Sequence, residues 1–367
     1  MTNEASVKSG VKLAGFNALR GLAAILVFVF HFWGLARMGD VSLGGVDLTN
    51  FFDSGHVGLD MFFALSGFLI FRSIYRNGVN RQYFLRRLLR IAPIYYFSII
   101  VVLIFLTPEG LTTVAGMWDV LSHALFVQSF SIDTYYGINP VLWSLSVEML
   151  FYLFLPLFFL LSGRKGWRIL LGICVMLGIS YFYRNYMNNF HEVWNSTQRM
   201  IYTENFVGRL DQFAWGMLAS FLVLKGEGLS VAWRKILNFV SLPLIVIGFV
   251  GIYLGMDAFH VYKSSFRDIY FLQMFLHSLI ALSASMVMFG FAYASKWFQF
   301  LVGNRVVGYA GMISYSFYIW HFVISEQVVK LEVSLLWKFV ISFALISLFS
   351  SVTYYLIERP FLKLKKY

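Results

Sequence analysis

Charge is what this chain has least of. Only 13% of its 367 residues are Asp, Glu, Lys or Arg, against about 25% in a soluble globular protein. With 59% hydrophobic residues, that balance excludes an ordinary water-soluble domain and points to a chain that crosses a membrane many times. Cysteine is nearly absent. Cys174 has no second cysteine to pair with, which excludes a disulfide framework and any cysteine-ligated zinc or iron–sulfur centre. Within its apolar run, Cys174 reads as a small core residue. Internal repeats and Pro/Gly-rich linkers are also lacking, so residues 1–367 read as one integral bundle with no separate soluble domain. The N-terminal MTNEASVKSGVK is short and polar and leads straight into an apolar run, unlike a cleaved signal.

What is there in quantity is apolar sequence in span-sized blocks. Runs at 16–36, 57–75, 91–107, 141–162, 169–187, 205–224, 236–256, 269–292, 306–328 and 335–357 each approach the ~17–25 residues needed to cross a bilayer. The stretch 118–131 is too short and too polar to cross and reads as an interfacial or re-entrant helix. The expected fold is therefore all-α, a polytopic helical membrane bundle of about ten spans. Net charge is +11, but the basic residues are scattered over short loops with no arm or stripe suited to nucleic acid. With the N-terminus inside, 21 of the 29 Lys and Arg fall on the inner side. The positive-inside rule then puts both termini in the cytoplasm.

Polar residues inside these runs are the functional suspects, because burying them in lipid is costly. Arg20 and His31 lie eleven residues apart on one face of the first helix, about 16 Å along its axis. Arg87 and Arg90 are i,i+3 neighbours in RQYFLRRLLRIAPIYY, the densest part of a basic stretch that starts at Arg72. Two converging guanidiniums suit a phosphorylated ligand; the alternative is a lipid anchor. Glu148 in WSLSVE falls one turn into the fourth run and needs a partner, for which a histidine on a neighbouring helix is natural; Ser146, two residues earlier, is displaced from it on the helix. His56 and Asp60 share a face at i,i+4. Arg209 and Asp211, two apart, need separate partners. Ser314, Tyr318 and His321 form a stripe that could bind a polar substrate or simply glue helices together. His123, His191, His260 and His277 show no metal-ligand spacing and read as loop or helix-end residues, so no metal is expected.

Together these pieces resemble the membrane acyltransferase-3 family of bacterial inner-membrane proteins. Arg20-x10-His31, Arg87-Leu-Leu-Arg90 followed by IAPIYY, Ser146-Val-Glu148, and YSFYIWHF with IERPF carry the match, supported by VGLDMFFALSGFLI and GRLDQFAWGML. The resemblance covers about residues 14–362. It implies an acyl-coenzyme A donor, usually acetyl-CoA, used from the cytoplasmic side, and transfer to a hydroxyl of a lipid-linked or surface glycan. Some members carry a C-terminal periplasmic domain; a chain stopping at Tyr367 reads as a stand-alone form. On this reading Arg20, Arg72, Arg87 and Arg90 hold the donor. His31 is general base, Glu148 orients it, and Ser146 is a lesser candidate as acyl carrier. His56, Asp60, Arg209, Asp211, Tyr318 and His321 would meet the acceptor. The rival is a transporter or flippase, which also explains intramembrane charge but predicts repeat symmetry.

Overall fold

The structure, a computed structural model, describes residues 14–189, 196–262 and 270–364. His191 and the polar N-terminal stretch lie outside the described residues. Every apolar run is a helix: α1 (Ala14–Leu35), α2 (Gly58–Asn77), α3 (Arg81–Phe105), α4 (Trp143–Ser162), α5 (Gly166–Asn189), α6 (Leu210–Gly226), α7 (Val231–Tyr262), α8 (Tyr270–Tyr293), α9 (Arg305–Val328) and α10 (Leu335–Thr353). Among the described residues, eight helical segments are long and apolar enough to cross a membrane. The other two long helices are α6, at 17 residues, and α9, which carries the Ser/Tyr/His stripe. Among the described residues, β structure is limited to a two-residue antiparallel pairing of Ser42–Leu43 with Val46–Asp47. The chain is an all-α polytopic membrane protein.

One boundary needs correction. The third apolar run begins at residue 91, but α3 starts ten residues earlier, because the Asn80 side chain caps it by accepting from the Tyr83 amide at 2.9 Å. Arg87 and Arg90 therefore sit on α3, in the helical turns that precede the apolar run. The 118–131 region holds a helix, Val114–Ala124, capped by Thr113, then a short 3-10 turn at Gln128–Phe130. Eleven residues rise only about 16 Å, too little to cross. The segment is tied to the C-terminal part of α3 and the start of α4, since Tyr95 and Tyr96 donate to the carbonyls of His123 and Ala124, and Gln128 to that of Leu142.

Small residues set the closest helix crossings. Gly67 on α2 faces the Phe213 carbonyl, and Gly216 on α6 faces the Ala64 carbonyl; a Cβ at either would overlap the opposing oxygen. In lipid, close van der Waals contact is what holds helices together, so this reciprocal pair locks α2 onto α6. Gly311 of α9 meets Asn17 of α1 in the same way. Around these crossings α2 also packs on α8, α8 on α7, and α6 on α5. Aromatic contacts fill the seams, as where Phe151 of α4 stacks on Phe213 at 4.0 Å between centroids.

Helix α5 corrects the reading of Cys174. Its inward stripe runs through Ile169, Ile173, Met176, Ser180 and Arg184. Cys174 lies one residue off that stripe and faces outward.

Candidate active site

A cavity opens among α1, α2, α3, α4 and α9. Its polar lining is Arg20, Ser66, Arg90, Ser144, Glu148, Tyr152, Ser314, Tyr315 and Tyr318, set among aliphatic and phenylalanine side chains. Two tyrosines of the wall are anchored by backbone carbonyls. Pro156 has no N–H to give the Tyr152 carbonyl, and the Tyr83 hydroxyl of α3 donates to that oxygen at 2.9 Å instead. Tyr315 likewise ties α9 to α3 through the Ile91 carbonyl at 2.9 Å.

Charge in the cavity is lopsided. Glu148 Oε1 accepts from Ser66 Oγ at 2.6 Å and from Tyr152 Oη at 2.5 Å. The Arg87 guanidinium lies 5.8 Å from both the Tyr83 and Tyr152 ring centroids and is not part of the cavity lining. Arg90 and Glu148 both act electrostatically on Arg20. Yet among the described residues neither Arg20 nor Arg90 forms an ion pair or a side-chain hydrogen bond. Two guanidiniums, Arg20 and Arg90, thus line a cavity that holds one carboxylate. That excess of forked donors is suited to an anion with several oxygens.

Further along the cavity, Tyr318 Oη lies 2.6 Å from Ser144 Oγ and donates to the Val141 carbonyl at 3.0 Å. The other side of the Tyr318 ring packs on His321 at 5.3 Å between centroids. His321 in turn meets His31, with Nε2 3.0 Å from His31 Nδ1. Arg20 and Tyr318 line the cavity, whereas His31 lies outside its lining and connects to it through His321 and Tyr318.

This arrangement corrects several expectations. Glu148 does not orient His31: its bonds go to Ser66 and Tyr152, and the residue beside His31 is His321. Ser146 does not reach the cavity. It is fully buried, donates to the Phe126 carbonyl at 2.5 Å and contacts Ser129 Oγ at 2.8 Å, bracing the turn where Phe126 takes a φ of +58°. Arg72, expected with the donor arginines, instead pairs with Glu227, which also binds Arg76.

Among the residues expected to meet an acceptor, only Tyr318 lines this cavity. Asp60 turns the other way. It binds Arg209 Nη1 at 2.7 Å and His277 at 2.9 Å, while Arg209 Nη2 holds Glu204 at 2.8 Å. Asp211 takes Arg184 at 2.5 Å and Ser180 at 3.1 Å. His56 packs edge-on against Phe30 and Phe259 rather than pairing with Asp60. His277, read as a helix-end residue, lies well inside α8 as part of this ion network. His123 is fully buried beside Asp119, and His260 pairs with Asp53.

Tyr152, Tyr315, Glu204 and Arg184 were not singled out as site or network residues by pattern alone. Only the i,i+4 spacing of Glu148 and Tyr152 was available as a signal.

Residues 13–355 match the family described as the acyltransferase domain. The chain belongs to that family. Relatives are distant: this acyltransferase is 23% identical to a provisionally named acetyltransferase of Acidianus two-tailed virus, over 84% of this chain and 82% of that one. It is 24% identical to a provisionally named O-acetyltransferase of Staphylococcus aureus strain COL, over 96% of this chain and 57% of that one. It is 23% identical to YrhL of Bacillus subtilis strain 168, provisionally named a peptidoglycan O-acetyltransferase, over 95% of this chain and 54% of that one. The acyltransferase thus spans little more than half the length of those two bacterial relatives. No solved structure matches it. Family membership favours group transfer over the transporter alternative.

Proposed function

We propose that this acyltransferase moves an acetyl or other short acyl group from acyl-CoA to a hydroxyl of a lipid-linked or surface glycan, across a bacterial cytoplasmic membrane. The observation that carries this reading is the pair Arg20 and Arg90, without ion-pair partners among the described residues in a largely apolar cavity, with Arg20 about 16 Å of helix rise from His31 on α1. That length is comparable to the span between the nucleotide phosphates and the thioester of coenzyme A. The basic end of the bundle faces the cytoplasm by the positive-inside rule, so the donor enters there. The names of the staphylococcal and Bacillus relatives support an acetyl group and a hydroxyl acceptor, and that of YrhL supports a glycan.

Arg20 and Arg90 bind the phosphates, with Arg87 adding charge from beside Tyr152. The acceptor arrives from the outer side and presents its hydroxyl to His31. As the hydroxyl oxygen attacks the thioester carbonyl, the imidazole takes the proton. The carbon–sulfur bond then breaks, and the proton passes to the leaving thiolate. Such base catalysis contributes typically about 10²–10⁴-fold. Glu148 keeps Arg20 and Arg90 from repelling each other in the absence of donor, and its own position is held by two hydroxyls.

The test uses purified protein in lipid nanodiscs, acetyl-CoA and an oligosaccharide acceptor. Free thiol release coupled to acetyl transfer is expected, and His31→Ala should abolish transfer while leaving donor binding intact. Near-normal turnover by that variant would sink His31 as base.

A further inference from the structure

The contacts of the two facing imidazoles leave little freedom in where their protons sit. His321 Nδ1 lies 2.5 Å from the Tyr318 carbonyl oxygen. A carbonyl only accepts, so His321 Nδ1 carries the hydrogen, and in the neutral ring Nε2 is then a lone pair in need of a donor. The atom facing that lone pair is His31 Nδ1, at 3.0 Å. His31 Nδ1 also lies 3.0 Å from the Val27 carbonyl oxygen, again an acceptor. One N–H on His31 Nδ1, shared between the Val27 oxygen and His321 Nε2, satisfies every atom in the chain; shared bonds of this kind are common. The opposite tautomer would set the His31 Nδ1 lone pair against both acceptors.

We propose that His321 is a positioning residue for the transfer, which fixes the tautomer and orientation of His31 so that Nε2 is the atom that takes the hydroxyl proton. The inference rests on His31 being the base. Among the described residues His31 Nε2 has no hydrogen-bond partner, and the side chain is only partly buried, so this nitrogen is open to an incoming hydroxyl. Phe30 and Phe322 pack edge-on against the His31 ring at 5.0 and 5.4 Å and hold its plane. His321 itself is fully buried, and both its nitrogens are occupied, so it does not contact substrate.

In a hydrolase triad a carboxylate does this work. Here the partner is neutral. When His31 takes the proton, its Nδ1–H donates to two neutral acceptors, so the imidazolium is stabilised less strongly than by a carboxylate. The proton is then the more readily returned to the departing thiolate, and the ring starts the next turnover neutral.

The experiment compares His321→Ala, His321→Gln and His31→Ala with the parent in the thiol-release assay, with donor KM and thermal unfolding measured on each preparation. His321→Ala removes the acceptor that faces Nδ1 and should lower kcat about 10–100-fold with donor KM unchanged, the scale of losing one hydrogen bond to a charged group. The amide oxygen of His321→Gln can accept the same N–H and should recover most of that loss. Unchanged kcat in His321→Ala, with His31→Ala inactive, would overturn the positioning role and leave the base assignment standing. Equal losses in the Ala and Gln variants would also overturn it, because an acceptor at that position would then be irrelevant. Full activity of His31→Ala would remove the underlying reading instead.

Discussion

Neutralising Arg90 is the sharpest probe of the cavity, because among the described residues this guanidinium has no ion-pair partner to rearrange around. In Arg90→Gln one of the two cations that share the cavity with Glu148 is lost while Ser66 and Tyr152 still hold the carboxylate. A phosphate about 6 Å from a guanidinium, at an effective dielectric of about 20, interacts by about 3 kcal/mol, or about 100-fold in affinity. Donor KM should therefore rise by about two powers of ten in Arg90→Gln, and similarly in Arg20→Gln. Arg90→Lys keeps the charge but loses the planar fork, and should fall between the two, at about tenfold. Arg76→Gln is the control, since Arg76 pairs with Glu227 outside the cavity lining and should leave donor KM unchanged. The assay is thiol release against acetyl-CoA concentration, on variants that elute as the parent does. Donor KM within twofold of the parent in both Arg20→Gln and Arg90→Gln would refute the phosphate assignment and return these arginines to a lipid-anchoring role.

Ser146→Ala should retain near-parental turnover and lose about 1 kcal/mol of stability, because its hydroxyl braces the Phe126 turn and does not line the cavity; an acyl group trapped on Ser146 during turnover would overturn this. Single-cysteine labelling in a Cys174→Ser background should find position 165 accessible from the cytoplasm and position 118 from the outside. Labelling of position 165 from outside would invert the proposed orientation.

The helices were legible in the sequence because hydropathy reports what faces lipid, and every apolar run became one. The start of α3 was not, since Arg81–Arg90 is helical without being apolar, and the Asn80 cap rather than hydropathy sets that end. Site residues followed the same divide. Arg20, Arg90 and Glu148 stand out as charges in lipid-sized helices, and they do share one cavity. Their partners are another matter. His31 and His321 are separated by 290 positions, and Asp60 and Arg209 by 149, so no periodicity within a helix links them. Glu148 was expected to need a histidine, but two hydroxyls satisfy a carboxylate equally well. Arg72 lies in the same basic stretch as Arg90, yet its helix face takes it to Glu227.

The ion network of Asp60, Arg209, His277 and Glu204 has a consequence for how the chain can change over time. Removing one member strands the others as buried charges, typically at about 3–5 kcal/mol, whereas exchanging a whole buried pair for apolar groups is often neutral. Domains are typically stable by only about 5–15 kcal/mol. Single steps away from the network therefore pass through a poorly folded intermediate, although the apolar end point is itself accessible. Four residues, from two helices and the turn at 204–209, behave as one inherited unit, retained by the depth of the valley around it.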